Sequence, residues 1–241
     1  MNMFLALKKA AALYRLYFSK VFWAILLFAL PIQLTNTFFV NYVSAPFQLF
    51  GNQLWTSIIQ VMFIFIALPL IEIPFISILK QDEEEDDVSF RKIVDDFFSK
   101  AHRIYVAGLL AAIGIAAGLV FFLIPGIILA FFLLAFTQIL FLRERRPWRA
   151  AKRTVKFTRE SFGKILLLLL LFILVDSILS STVFFLSAGL TSSFFIINMA
   201  LLIINSFIMP LFIFSLTYLY VDWELERNEM QVLEKQFSFT N

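Results

Sequence analysis

Cysteine is absent from this chain, and histidine occurs once, at His102. The first absence removes disulfides, thiolate metal sites and cysteine nucleophiles. A lone histidine has no second one with which to build a zinc site or a proton relay. Charge is scarce too. Only 15% of residues are charged and 61% are hydrophobic, whereas a soluble domain is about a quarter charged and about half apolar. Also missing are a phosphate-cradling loop, a serine–histidine pairing and a Gly-x-Gly-Asp pattern around Asp176. These gaps point away from catalysis and from any cofactor.

Basic residues are missing from long stretches, and that absence carries the fold. All 20 lysines and arginines fall in residues 8–20, 80–103, 143–164 and 227–235. Apolar runs of about 20 residues without charge cross membranes as helices, and basic residues stay on the cytoplasmic side. The predicted fold is all-α and polytopic, with spans at 21–43, 56–79, 104–123, 126–142, 165–190 and 194–221. Six spans put all four basic patches on one face, with both termini and the tail 222–241 inside a bacterial cytoplasmic membrane. The uncharged segment 44–55 falls outside. Reading 104–142 as one span would set two basic patches on opposite sides, so a tight turn is expected at Ile124-Pro125-Gly126. The amino terminus reads as retained, because the nearest cleavage candidate, Val43-Ser44-Ala45, lies far downstream and precedes Pro46.

The pI near 9.2 follows from this orientation and from contact with anionic headgroups, not from nucleic acid. Trp23, Trp55, Trp148 and Trp223 sit at predicted membrane edges, as amphipathic rings prefer.

Three segments on the basic side have helical amphipathic period: 4–19, 89–103 and 147–163. In the first, Phe4, Leu7, Ala11, Tyr14 and Phe18 oppose Lys8, Lys9 and Arg15. In the second, Phe90, Ile93, Val94, Phe97, Phe98, Ala101 and Tyr105 form the apolar face. The third aligns Trp148, Ala151, Val155, Thr158 and Phe162, and leaves Arg149, Lys152, Arg153, Lys156 and Arg159 for headgroups. Each leads into a pair of spans, so the chain reads either as three helix-plus-hairpin units or as a six-span protein with amphipathic linkers.

Two carboxylates lie inside spans, Glu72 and Asp176. Asp176 is roughly 18 Å along a helix from Lys164, and Glu72 roughly 12 Å from Lys80. A charge at that depth costs about 2.5–3.5 kcal/mol even on the milder scale, and no span holds a cation to pair with it. Glu72 lies between Pro69 and Pro74, which either interrupt the helix beside a site or merely kink it. Asp176 and Ser180 are spaced i, i+4. Gln33, Thr37 and Asn41 line one face of the first span, and Asn198 and Asn205 one face of the last. These polar stripes would line a small cavity or bond between helices. Gly114-x-x-x-Gly118 suits close packing and a central place for the third span. The run 82–87 reads as a solvated acidic loop, without the glycine and ligand spacing of a calcium loop.

Leu123-Ile124-Pro125-Gly126-Ile127-Ile128-Leu129-Ala130, then Pro147-Trp148-Arg149-Ala150-Ala151-Lys152-Arg153-Thr154 and Arg159-Glu160-Ser161-Phe162, resemble a known pattern. They are similar to the YciC-like family of bacterial six-span membrane proteins. The same pattern occurs in the membrane domain fused to some glycerophosphoryl diester phosphodiesterases. The resemblance is firm over residues 88–175. It implies the fold and location, and no activity, since no phosphodiesterase domain is present. The sequence therefore predicts a membrane-organising or accessory factor. Its expected partners are membrane lipids, with anionic headgroups on the cytoplasmic leaflet, and a membrane protein or a second copy of itself. The alternative is a small transporter or channel using Glu72 and Asp176.

Overall fold

The computed structural model describes residues 2–85, 87–143 and 146–238, and among them every regular element is a helix. Lipid offers no hydrogen bonds to the backbone, so apolar segments of this length must satisfy their own, and helices do so. In chain order the elements are α1 (Met3–Leu16), α2 (Phe18–Ala24), a π-helical turn (Ile25–Ala29), α3 (Leu30–Leu49) and α4 (Gln53–Glu85). They continue with α5 (Phe90–Phe121), α6 (Leu123–Phe132), α7 (Phe136–Leu142), α8 (Pro147–Glu160), α9 (Phe162–Leu190) and α10 (Phe194–Ser238). Six stretches are long and apolar enough to cross a membrane: Phe18–Leu49, Gln53–Glu84, Phe90–Phe121, Leu123–Leu142, Phe162–Leu190 and Phe194–Glu229. The protein is an all-α, multi-pass membrane protein.

The helices outrun the predicted spans. No boundary separates 89–103 from the third span, because α5 is one helix of 32 residues, about 48 Å long. Likewise α10 continues through 222–238, and the segment 44–55 shrinks to a turn at 50–52 in which Gly51 takes φ 68°. The acidic run is not a loop either: residues 82–85 are the last turn of α4, and Asp86 lies outside the described residues. Leaving the bilayer does not end a helix unless the chain also holds a breaker, and residues 82–85, 89–103 and 222–238 hold neither proline nor glycine.

Two joints bend the chain without breaking it. Tyr17 joins α1 to α2 at φ −108°, ψ 30°, and Ser161 joins α8 to α9 at φ −109°, ψ 20°. Each donates its N–H to the carbonyl four residues back and accepts from the residue four ahead. The first and third helix-plus-hairpin segments thus share one elbow, which the second replaces with a continuous helix.

The turn between the third and fourth spans is also displaced. It falls on Phe122, extended at φ −152°, ψ 111°, and Pro125 lies inside the first turn of α6, where its missing N–H would have no helical acceptor. Gly126 is required by proximity instead. A Cβ there would lie 2.5 Å from the backbone nitrogen of Leu119, and one on Gly118 would lie 3.0 Å from Gly126 Cα. Gly114 meets nothing closer than 3.8 Å.

Neither Pro69 nor Pro74 interrupts α4. The Phe65 carbonyl, whose helical donor Pro69 removes, faces Gly108 of α5. A Cβ on Gly108 would lie 3.5 Å from that oxygen and 2.9 Å from Pro69 Cγ. The interruption falls instead in the fourth span, at residues 133–135 between α6 and α7. Every residue from Phe136 to Phe141 is buried, which makes the two-turn α7 a plug inside the bundle. The orphan Leu140 carbonyl near its end accepts from Arg103 Nη2 at 3.2 Å, and Thr158 Oγ1 donates to the Phe132 carbonyl at 3.4 Å. The centre of the bundle is α4, not the third span. Within its most apolar stretch 56% of residues are buried, against 33% for α5.

Burial is uneven along the membrane normal. Ile73, Phe75, Ile76, Ile78, Ile139, Leu140, Ile213, Phe214 and Tyr220 are sealed at the basic end. At the opposite end Phe38, Leu49, Phe50, Phe121, Leu190 and Phe194 stand exposed where lipid would cover them.

Candidate functional site

Helix α8 divides its surface three ways. Ala150, Thr154, Phe157 and Thr158 face the body of the protein. The next strip carries Trp148 and Val155, continued by Phe162 just past the Ser161 joint, all exposed, and the strip beyond it carries Arg149, Lys152, Lys156 and Arg159, also exposed. Of the predicted headgroup cations, Arg153 is diverted to another helix. It bonds to Glu224 of α10 through Nη2, while Arg143 Nε reaches the same carboxylate at 2.7 Å. That carboxylate is 5% exposed, and its hydrogen bond raises the pKa of Arg143 further. Phe157 packs edge-on to Tyr220 and Trp223, with ring centroids 5.4 Å apart in both pairs. The Trp223 indole donates to Glu160 Oε2 at 2.8 Å. Trp223 is therefore a buried strut and not a lipid-edge residue, unlike the exposed Trp23, Trp55 and Trp148.

Helix α1 docks too, rotated from the predicted stripe. Met3, Ala6, Ala10 and Leu13 are buried, and α10 is its main contact, while Phe4 and Phe18 remain exposed. Alanines let the two helices approach closely, which outweighs burying the bulkier Phe4. Tyr14 donates to the Phe207 carbonyl at 3.2 Å, and burial pushes its phenol pKa up. In α5, Asp96 lies on the polar face of the predicted pattern but turns toward α4, accepting from Ser77 Oγ at 2.7 Å and pairing with Lys100 at 2.6 Å.

The two intramembrane acids occupy different surroundings. Glu72 is sealed under α7, where Gln138 Nε2 donates to its Oε1 at 3.3 Å and the Thr137 hydroxyl lies beside it. Its second oxygen, Oε2, is buried without a hydrogen bond.

Asp176 instead lines a cavity of about 440 Å³ between α3, α4, α9 and α10. The polar lining is Gln33, Asn36, Thr37, Asp176 and Asn205, and the rest is apolar. Ser180 does not reach Asp176; its hydroxyl donates to Asn205 Oδ1 at 3.0 Å. Ser206 donates to Gln33 Oε1 at 3.1 Å. Of the two polar stripes, Asn41 is absent from the lining, and Asn198 bonds back to the Phe194 carbonyl.

Sequence reasoning passed over Asn36, although it sits three residues beyond Gln33 on the same helical face. It also passed over Gln138 and Glu224. Gln138 is a polar residue in an otherwise apolar run, which is a signal; Glu224 looked like one more tail acid. No known protein family, curated protein or solved structure matches this chain.

Proposed function

We propose that this is a non-enzymatic protein of the bacterial cytoplasmic membrane, with both termini inside, akin to the YciC-like family. On this reading it organises the membrane or assists a membrane partner through its basic end, where α8 gathers anionic lipid. The observation that supports it is the division of α8. One face is locked to α10 by Arg153, Phe157 and Glu160, and a strip with exposed Trp148, Val155 and Phe162 adjoins an exposed basic one. A helix held this way lies in the interface, with apolar side chains in the acyl region and cations among headgroups. Each basic residue near an anionic surface contributes about 1 kcal/mol, screened within a Debye length.

The absence of cysteine makes the test clean. A single Val155→Cys carrying an environment-sensitive fluorophore should report an apolar surrounding, quenched by lipid-borne nitroxides, in full-length protein reconstituted in phosphatidylglycerol vesicles. Protein purified from mixed membranes should retain phosphatidylglycerol over phosphatidylcholine. Replacing Arg149, Lys152, Lys156 and Arg159 with Gln should remove that preference. A water-like spectrum, or a preference untouched by the four changes, refutes the reading. The transporter alternative keeps one observation in its favour, the cavity at Asp176.

A further inference from the structure

We propose that the Asp176 cavity binds an organic ammonium ion with an apolar body, taken up from within the bilayer. The inference stands apart from the lipid-gathering role of α8. Glu72 has Gln138 and Thr137 against it. Asp176 has neither: the hydroxyls that might have served it are committed elsewhere, Ser180 to Asn205, and Ser206 to the Leu202 carbonyl at 2.7 Å and Gln33 at 3.1 Å. The carboxyl of Asp176 thus faces a cavity with no protein cation, and the other polar groups there are amides and a threonine hydroxyl. Such a lining accepts hydrogen bonds from an ammonium group and supplies the opposite charge.

The remaining wall suits the other part of the ligand. Ile64, Leu68, Ile71 and Met209 are apolar, and Phe172 and Phe212 pack edge-to-face with centroids 5.2 Å apart. Aromatic faces attract organic cations and tolerate hydrocarbon.

Position excludes a lipid headgroup as the source of the ammonium. Asp176 lies roughly 18 Å along α9 from Lys164 and roughly 22 Å from Thr191, so headgroups at either surface fall short. The neighbouring residues Leu174, Val175 and Ile178 are exposed, and the approach is lateral, from the acyl region. The ligand is an amine that itself partitions into lipid.

The test uses full-length protein in a nonionic detergent and equilibrium dialysis against labelled 2-phenylethylammonium, which carries three N–H donors. Its comparison ligand is n-propylbenzene, which has nearly the same shape and neither charge nor donor. The cation should bind saturably at one site per chain, and the neutral ligand at least tenfold more weakly. Asp176→Asn should weaken cation binding at least tenfold and leave the neutral ligand unchanged. Because Asp176 has no hydrogen bond among the described residues, that variant should keep the wild-type melting profile. A double Asn36→Ala, Asn205→Ala variant should weaken the cation less than Asp176→Asn does. Equal affinity for the two ligands, absence of saturable cation binding, or undiminished binding by Asp176→Asn would each overturn the proposal. Displacement of the cation by added phosphatidylethanolamine would contradict the argument from depth and overturn the bilayer-borne source.

Discussion

At the basic end the helices interlock, with Phe157 between Tyr220 and Trp223, Arg153 on Glu224, Asp96 on Ser77, and α7 wedged against Glu72. Near mid-membrane the same helices stand apart around a cavity, and at the opposite end they present phenylalanine and leucine outward. Solvent explains the difference. Where water reaches, apolar side chains gain by leaving it, and polar groups removed from it must find partners. Where lipid surrounds the helices, a leucine on lipid and a leucine on a neighbour are nearly equivalent, so nothing but close fit draws helices together. A close fit at the charge-free end is accordingly a pair of glycines, Gly118 against Gly126. Stability belongs to the basic end, and room for a ligand to the middle of the membrane.

The largest expected effect sets one aromatic ring against another. Phe157 is fully buried, whereas Phe185 is 72% exposed on α9. Phe157→Ala should cost about 3–5 kcal/mol, and Phe185→Ala should fall within about 0.5 kcal/mol of the wild type. Thermal unfolding of the two variants in detergent measures the contrast. Equal losses would mean that the open end is as well packed as the closed one.

The two intramembrane acids give a smaller contrast. Glu72→Leu would leave Gln138 facing hydrocarbon and should cost about 1–3 kcal/mol, while Glu72→Gln keeps a partner and should be tolerated. Asp176→Leu deprives no group among the described residues of a bond and should not lower the melting temperature. A large loss at Asp176, or none at Glu72, would reverse the assignment of the closed and open regions.

The fold was legible because charge distribution and hydropathy report directly on the bilayer, and six apolar runs with all cations at one end allow few arrangements. Contacts were less legible. Hydrophobic period shows that α8 and α1 are amphipathic, but it cannot say which apolar strip meets protein and which meets lipid, since both are apolar surroundings. Trp148 and Phe4 therefore lay on the expected stripes, yet Ala150 and Ala6 make the contact. Proline spacing alone left open whether α4 is interrupted or merely kinked; α4 carries two prolines without breaking, and α6 ends at residues that include none. Packing of α7 around Glu72 decides that break, and packing is tertiary. The candidate site divides along the same line. Gln33, Thr37, Asp176 and Asn205 could be grouped by helical spacing, whereas the separation of Glu72 from Asp176 depends on how α7 folds into the bundle.

The smallest effect probes whether the outer face of α8 is free. Lys156 and Glu160 are paired at 3.8 Å, and both are 47% exposed. A pair so hydrated contributes about 0.5 kcal/mol or less, and Glu160 also accepts the Trp223 indole, so it has a second anchor. Lys156→Gln should therefore leave the melting temperature in neutral detergent unchanged at low and at high salt. In phosphatidylglycerol nanodiscs the same change should lower stability by up to about 1 kcal/mol, and added salt should erase that loss. The two media separate the explanations: a loss in lipid alone places Lys156 among headgroups, whereas a loss of equal size in both would make the pair part of the packed end. No change in either medium would leave Lys156 in open water and remove it from the lipid-gathering face.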